Sequence, residues 1–340
     1  MTEPDPSKDR RGPLDVVRRV VPILGTIALL GYLAYSTDLP AVAAAFSRAS
    51  IWQAIAVLLV ATVATWLADS ACLTWLIGRN LADRGDPRGT SLRQILPLKA
   101  GSYVLNIVNY NAATLGMAYV VARRRKVSFL EATAALSVLS YVDLLALAAL
   151  VTMGLQVSPE VISVLPGLVD RLVWLVTGVF SFGVFVLLLI QSPLRWRPLE
   201  VIRGWAIVRP LAAMSPVDMG LGVLMRAGFV MLYVAANFWM MRCFGMSPEW
   251  GPMLTIVPVL TVVGVVPLSI SGLGTTQLLM RTLYAPFVAD GRDPTPVIDA
   301  WSTSMIFGFI LIRLLIALPY LPSLLAEIQR ASGSVDPSEK

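Results

Sequence analysis

Four charged residues lie inside long apolar stretches of the chain, where little water can solvate a charge. Two are acids, Asp69 and Asp143, and two are arginines, Arg226 and Arg313. A charge at the centre of a membrane-spanning helix costs about 2.5–3.5 kcal/mol on insertion scales, so each of the four needs a partner or a function. Arginine binds phosphate through paired hydrogen bonds, and an intramembrane acid can hold a cation or a proton.

Each charge shares a helical face with other polar residues, because the spacings between them are three, four, seven or eleven. The four faces are Asp69 with Thr62, Thr65 and Cys72, Asp143 with Thr133, Ser137 and Ser140, Arg226 with Tyr233 and Asn237, and Arg313 with Asp299 and Ser302. Two interpretations stay open. The acids and arginines form ion pairs between the halves of the chain, or they line a cavity for a phosphate-bearing substrate.

Two further segments, Asn106–Asn111 and Ser269–Gln277, combine polar residues with apolar surroundings. A half-helix that starts near Thr275, after two glycines, would point its free N–H groups toward the membrane interior, where an anion can bind. Arg281 is a further phosphate candidate. The candidate substrate-binding residues are Asn106, Asn109, Asn111, Ser269, Ser271, Gly272, Gly274, Thr275, Gln277, Arg226, Arg281 and Arg313. Asp69 and Asp143 are the candidates for charge partners or ion coupling.

The composition indicates that membrane helices carry these residues. Apolar residues make up 56% of the 340 residues and charged residues 14%, against about 45–50% and about 25% in soluble domains. About 20 apolar residues cross the hydrocarbon as a helix that satisfies its own backbone. The sequence therefore predicts an all-α polytopic membrane protein. Its six full spans are Val20–Tyr35, Ile51–Gly78, Ser128–Met153, Leu172–Ile190, Met219–Gly245 and Val297–Leu318. The first is expected to stay uncleaved, although Ala43–Ala45 offers a signal-peptidase alternative.

Several classes of site are excluded by composition. The chain has no histidine, and its two cysteines, Cys72 and Cys243, lie inside apolar runs. A Cys/His zinc site, a disulfide framework and a histidine-based catalytic triad are therefore excluded. The net charge of +6 comes from basic residues in the loops, which is typical of membrane topology and anionic lipid contact. No cofactor, metal or nucleic acid is expected.

Basic residues also predict how Gln94–Ala122 meets the membrane. If this segment crossed, the basic run Arg123–Lys126 would face the opposite side from the basic loop Arg79–Arg93. That arrangement violates the positive-inside rule. We therefore expect a re-entrant hairpin that enters from the cytoplasm and returns.

A second re-entrant hairpin is expected at Gly251–Pro286, whose apolar course is broken by Ser269–Gly274. With six spans, 19 of the 27 basic residues then lie on the cytoplasmic side, and only Arg48 and Arg292 lie in outer loops. The predicted location is a bacterial cytoplasmic (inner) membrane, with both termini in the cytoplasm.

This topology predicts an inverted repeat within a single transmembrane domain, residues 20–325. Residues 51–153 and 219–318 each form a span, a hairpin and a span, in opposite orientations. Such repeats are a recurrent transporter plan, because two equivalent halves can exchange which side of a central site is open. Residues 1–19 form a polar cytoplasmic N-terminus, and residues 326–340 a cytoplasmic tail.

The stretch Pro267–Gln277 reads Pro-Leu-Ser-Ile-Ser-Gly-Leu-Gly-Thr-Thr-Gln. It resembles the proline–serine–proline–glycine–glycine–leucine–glycine–x–arginine–glutamate stretch of the lysylphosphatidylglycerol synthase transmembrane-region family. The segment Asn106–Gly116, the basic loop after it, and Asp143 support the resemblance, which covers about residues 20–325. The resemblance implies a flippase-like membrane domain.

The chain departs from the family pattern at four positions of this stretch. Ile270 and Ser271 replace the second proline and first glycine, and Thr276 and Gln277 replace the arginine and glutamate. The first hairpin also lacks the usual glycine–acid followed by arginine. These changes remove charges near the expected site, so the family's substrate is not carried over. Since only Ala326–Lys340 follows the last span, lipid aminoacylation by this chain alone is not expected.

The expected function is that of a non-enzymatic lipid flippase or lipid-linked substrate transporter. Its partners would be membrane lipids, either anionic phospholipid or polyprenyl phosphate, and a homo-oligomer is compatible with the sequence. One alternative is a polyprenyl-phosphate-dependent transferase, although the loop acids Asp83 with Asp86 and Asp290 with Asp293 are isolated pairs. The other is a non-transporting partner of an envelope-lipid synthase.

Overall fold

The structure is a computed structural model, which describes residues 35, 38–81, 91–108, 110–158, 167–265, 275–289, 291–324 and 326. These residues form helices and one isolated antiparallel bridge, between Met246 and Val288. In chain order the helices are α1 (Leu39–Arg48), α2 (Ile51–Asn80), α3 (Leu92–Val108), α4 (Tyr110–Arg125), α5 (Phe129–Val157), α6 (Gly167–Gln191), α7 (Arg197–Gly204), α8 (Arg209–Ala213), α9 (Pro216–Cys243), α10 (Trp250–Val265), α11 (Thr275–Tyr284) and α12 (Pro294–Ala317). The predicted span Val20–Tyr35 lies outside the described residues, apart from Tyr35.

Within the described residues, four helices are long and apolar enough to cross a membrane: α2, α5, α9 and α12. Each corresponds to a predicted span, and the predicted span Leu172–Ile190 lies within α6. The predicted all-α, multi-pass membrane architecture is confirmed. The count of six spans and the re-entrant inverted repeat stay predictions.

Polar residues in the loops fix where several of the long helices begin. Ser128 accepts a hydrogen bond from the Glu131 amide, and the Glu131 side chain accepts one from the Ser128 amide, which together form a capping box before α5. Ser215 accepts from the Asp218 amide at the start of α9. Each cap satisfies amide groups that have no partner within the helix.

Helices α2 and α9 pack against each other in antiparallel orientation. At one end the Ser50 amide donates to the Cys243 carbonyl at 2.9 Å. At the other end Arg79 Nη2 lies 3.3 Å from Asp218 Oδ1. Because the start of each helix meets the end of the other, the pair defines two ends of the bundle.

Helices α3 and α4 form a hairpin whose two ends meet. Arg124 Nη1, near the end of α4, donates to the Gln94 carbonyl near the start of α3 at 2.8 Å. Ile77, close to the end of α2, lines the same groove as these two residues. The first hairpin therefore opens at the bundle end where α2 finishes. At 1.5 Å per residue, α3 reaches about 25 Å into the bundle.

Helices α10 and α11 form the second hairpin. The Ser247 amide donates to the Phe287 carbonyl at 2.8 Å, beside the bridge between Met246 and Val288. Met246 and Ser247 follow shortly after Cys243, whose carbonyl accepts from the Ser50 amide at the start of α2. This hairpin therefore opens at the bundle end where α2 begins. The two hairpins enter the bundle from opposite ends.

The helices around the two hairpins make matching contacts. Helix α3 packs against α2 and α12, and α4 packs against α5; likewise α10 packs against α9 and α5, and α11 packs against α12. Each contact of the first hairpin has a counterpart in the second when α2 and α5 correspond to α9 and α12. Buried apolar residues join the hairpins to the long helices, including Trp301 against Tyr284 at a ring distance of 4.7 Å.

Glycine allows α5 and α10 to approach closely. A Cβ added to Gly154 on α5 would lie 2.9 Å from the Thr255 amide nitrogen and from the Leu254 carbonyl carbon. Backbone atoms cannot move aside as a flexible side chain can. Small residues at such crossings let membrane helices pack backbone to backbone.

We expect Gly154→Ala to lower the thermal stability of the protein in detergent, because the added methyl group pushes two helix backbones apart. Overpacking of this kind costs about 1–3 kcal/mol. The matched control is Gly220→Ala on α9, where an added Cβ meets nothing within 4 Å, so it should be neutral or slightly stabilising. Equal melting temperatures for the two variants would contradict the close crossing.

Candidate functional site

Four charged side chains from four helices meet inside the bundle. Asp69 on α2 places Oδ2 2.6 Å from Lys99 Nζ on α3 and Oδ1 2.6 Å from Arg226 Nη1 on α9. Arg226 Nε in turn donates to Asp143 Oδ1 on α5. The first half of the chain supplies both acids and the lysine, and the second half supplies the arginine.

This charged cluster lies well inside the bundle. Asp69 lies about 17 Å along α2 from Asn80, and Arg226 lies about 15 Å along α9 from Pro216, at 1.5 Å per residue. The side chains of Arg226 and Asp69 are 5% and 7% exposed. Desolvated charges are tolerated only when each is paired and hydrogen-bonded, so the removal of one partner is costly.

A third cation, Arg313 on α12, lies beside the cluster in an aromatic setting. Its Nη2 donates to Tyr233 Oη on α9, and its guanidinium lies 5.1 Å from the ring centre of Tyr103 and 5.4 Å from that of Phe309. Its Nε is buried with no hydrogen-bond partner. No carboxylate among the described residues forms an ion pair with Arg313.

Aromatic contacts connect Arg313 to the charged cluster. Lys99 Nζ lies 5.9 Å from the Tyr103 ring centre. The Arg226 guanidinium lies 4.0 Å from the ring centre of Phe229, which lies 5.2 Å from that of Tyr233. The combined site, which we call the interior cation site, comprises Asp69, Lys99, Tyr103, Asp143, Arg226, Phe229, Tyr233, Phe309 and Arg313. It holds three cationic side chains and two acids, so its net charge with all five ionised is +1.

A small polar cavity lies next to Lys99, between the first hairpin and α5. Its volume is about 20 Å³, enough for about one water molecule. The polar residues that line it are Lys99, Ser102, Asn106, Thr114 and Ser140. Of the three predicted asparagines, Asn106 thus faces a polar space close to the interior cation site.

Arg281 and Asp299 form a separate pair between α11 and α12. Arg281 Nε lies 2.8 Å from Asp299 Oδ1, and Nη2 lies 2.6 Å from Oδ2. This is the bidentate geometry that a guanidinium makes with a carboxylate. It fixes the second helix of the second hairpin to α12, near the bundle end where that hairpin opens.

Of the predicted site residues, the structure brings Asp69, Asp143 and Arg226 into direct contact and places Arg313 beside them. Asp143 binds Arg226 rather than Arg313. Gln277 is half-buried near the start of α11. Asn109, Ser269, Ser271, Gly272 and Gly274 lie outside the described residues, as do the side chains of Asn111 and Thr275.

Sequence analysis missed two contributors, Lys99 as the second partner of Asp69 and Tyr103 as a neighbour of Arg313. Both lie on α3 four residues apart, so they share one helical face. A lysine and a tyrosine on one helical face of a hairpin expected to enter the membrane were the available signal. No signal in the sequence indicated the pairing of Arg281 with Asp299, because the two residues lie on different helices that are separated by a turn.

Comparison with known families identifies the family of the chain. The family model described as "Lysylphosphatidylglycerol synthase TM region" matches residues 19–315. The chain belongs to this family. The resemblance predicted from Pro267–Gln277 is thereby confirmed, and every residue of the interior cation site falls within the matched part of this lysylphosphatidylglycerol synthase TM-region protein. No curated protein and no solved structure matches the chain significantly.

We expect Arg226→Met to destabilise the protein strongly, by about 3–5 kcal/mol, because it leaves buried carboxylates without their shared cation. Adding Asp143→Asn to that variant should recover part of the loss, since the remaining Asp69–Lys99 pair balances its own charge. The measurement is the free energy of unfolding of detergent-solubilised protein on denaturing-detergent titration. Additive losses in the double variant would contradict a shared network.

Proposed function

We propose that this protein is a transporter, not an enzyme, and that it moves a phosphate-bearing lipid head group between the leaflets of a membrane. The observation that carries the proposal is the unbalanced positive charge of the interior cation site. Arg313 has a buried Nε without a partner and forms no ion pair with any described carboxylate. A phosphate that binds there supplies both the missing acceptor and the missing negative charge.

The aromatic side chains around Arg313 suit the same ligand. The ring centres of Tyr103, Tyr233 and Phe309 lie 5.1, 6.0 and 5.4 Å from the guanidinium, at the distance of cation–π contacts. Its Nε is still without a partner and can donate to an anion. The predicted polar residues at the hairpin tips, including Asn106, supply further donors in this proposal. The acyl chains of the lipid would stay in the bilayer while its head group crosses through the site.

The hairpins support a mechanism in which access alternates. They open at opposite ends of the bundle, and their contacts with the long helices correspond pairwise. We propose that both are re-entrant, that six helices span the membrane, and that the halves 51–153 and 219–318 form an inverted repeat. Small movements of one hairpin or the other then expose the same site to either side.

The basic loops support the orientation. The first hairpin opens at the bundle end that carries Arg79 and the run Arg123–Lys126. We propose that this end faces the cytoplasm of a bacterial cell and that the protein lies in the inner membrane.

A cysteine-accessibility experiment tests this topology. With Cys72 and Cys243 replaced by serine, we expect Arg123→Cys to react with a membrane-impermeant maleimide only after the cytoplasmic side is exposed. Arg292→Cys, at the end where the second hairpin opens, should react in intact cells. Labelling of both from the same side would contradict the opposite orientation of the hairpins.

Reconstitution tests the transport activity. Purified protein in liposomes should speed the exchange of a fluorescent anionic phospholipid between leaflets, measured by dithionite quenching. Arg313→Gln should slow the exchange about tenfold or more, because a charge-assisted hydrogen bond contributes about 1.5–3 kcal/mol. Arg313→Lys keeps the charge but not the planar fork, so an intermediate rate is expected.

The matched control is Arg242→Gln, which removes an arginine of the same helix bundle that stacks on Phe238 outside the site. Its exchange rate should equal that of the unmodified protein. Equal rates for empty and protein-containing vesicles, across several anionic head groups, would contradict transport. Such a result together with co-purification of an envelope-lipid synthase would favour the scaffolding alternative.

A further inference from the structure

The two acids of the interior cation site differ in how completely their carboxylates are bonded. Asp69 uses both oxygens, Oδ2 toward Lys99 and Oδ1 toward Arg226, and its side chain is 7% exposed. Asp143 accepts from Arg226 through Oδ1 alone, and its side chain is 20% exposed. No described residue forms a hydrogen bond to Asp143 Oδ2. Asp69 is therefore fully engaged in the structure, whereas Asp143 keeps one carboxylate oxygen for a further ligand.

The titratable groups around Asp143 come from three neighbouring helices. They are Arg226 on α9, Asp69 and Cys72 on α2, and Lys99 on α3. Helix α10, which also packs against α5, has no titratable residue, and the charged residues of α4, α6 and α8 lie at the ends of those helices. On α5 itself, Tyr141 donates to the Gly183 carbonyl. A proton on Asp143 therefore changes the charge of the interior cation site alone, from +1 to +2.

A polar face of α5 connects Asp143 with the bundle end where the first hairpin opens. Thr133, Ser137 and Ser140 precede Asp143 on this face, and Thr133 lies about 15 Å from it along the helix axis. Ser140 also lines the small cavity beside Lys99, which has room for about one water molecule. Beyond Asp143 the helix is apolar throughout 144–151. Hydroxyl groups and water can thus carry a proton to Asp143 from one end of the bundle.

We propose that Asp143 is the proton-binding site of the transporter, so that a proton crosses the membrane together with the phosphate-bearing head group. This inference rests on the transport function proposed above and adds the energy source. The proton comes from water on the side to which the site is open and binds to Oδ2, while Oδ1 continues to accept from Arg226. Intramembrane acids serve as proton relays in other transporters.

The charge of the site couples the two ligands. A phosphate binds more tightly to a site of charge +2 than to one of charge +1, and by reciprocity the bound phosphate strengthens the binding of the proton. With a proton and a monoanionic phosphate both bound, the net charge is again +1, as in the empty site. The two ligands therefore cross together without net movement of charge, and the membrane potential does not drive their transport.

The test measures where a trace of fluorescent phosphatidylglycerol accumulates in proteoliposomes under a pH difference, with dithionite added outside at steady state. For one proton per lipid, a difference of about one pH unit should enrich the label up to about tenfold in the leaflet on the alkaline side. Nigericin, which collapses the pH difference, should restore an equal distribution, and a potassium potential with valinomycin should not shift it. Exchange without accumulation, or accumulation that follows a sodium gradient instead, would overturn proton coupling.

Variants of Asp143 test the assignment of the site. Asp143→Asn keeps an oxygen for Arg226 but cannot bind the proton, so the label should stay equally distributed under the pH difference. Asp143→Glu retains a titratable carboxylate and should accumulate the label. The matched control is Asp218→Asn, which removes an acid that is also 20% exposed and also paired with one arginine, Arg79, and it should accumulate the label like the unmodified protein. Accumulation by Asp143→Asn would overturn the assignment.

Proton uptake on binding separates this inference from the transport proposal. Calorimetric titration of the detergent-solubilised protein with dihexanoyl-phosphatidylglycerol, in buffers of different ionisation enthalpy from mildly acidic to neutral pH, counts the protons taken up per lipid. We expect up to about one proton for the unmodified protein and none for Asp143→Asn, whose folding is checked by its melting temperature. No uptake by the unmodified protein would overturn the proton site, with or without lipid exchange. Proton uptake without lipid exchange would count against the transport proposal alone.

Discussion

Arg226 is the residue on which the interior of this protein depends. It binds two acids, Asp69 from α2 and Asp143 from α5, while it extends from α9 in the other half of the chain. A desolvated guanidinium is tolerable because both carboxylates are present, and the carboxylates are tolerable because of the guanidinium. The same interaction that compensates these buried acids therefore also holds the two halves of the bundle in register.

Lys99 extends this interaction to the first hairpin. Its bond to Asp69 fixes α3 against α2 at a defined depth and brings Tyr103 beside Arg313. Four cationic or acidic groups thus balance one another, and the fifth, Arg313, remains as the excess charge. The charges that hold the helices together are thus distinct from Arg313, and this distinction is the physical basis of the flippase proposal.

Much of the fold was predictable from the sequence. Apolar run length and the capping serines Ser128 and Ser215 mark the long helices, because a helix in lipid needs only its own hydrogen bonds and a satisfied first turn. The basic run Arg123–Lys126 indicated that the segment before it turns back, and in the structure the ends of α3 and α4 meet. Periodicity also placed each intramembrane charge on a polar helical face.

The pairing of those charges was not predictable. Helical faces give the residues that point into the bundle, but they do not fix rotation or depth between helices, and these decide that Asp143 binds Arg226 and not Arg313. Contacts between helices far apart in sequence carry no local pattern.

The most direct test of the account is a cryo-electron microscopy structure of the protein in nanodiscs that contain anionic phospholipid, in a state with the interior open to one leaflet. The account predicts phosphate density within about 3 Å of the Arg313 guanidinium, with Arg226 still bridging Asp69 and Asp143. A carboxylate of the protein's own chain paired with Arg313, and no lipid density in the interior, would contradict it.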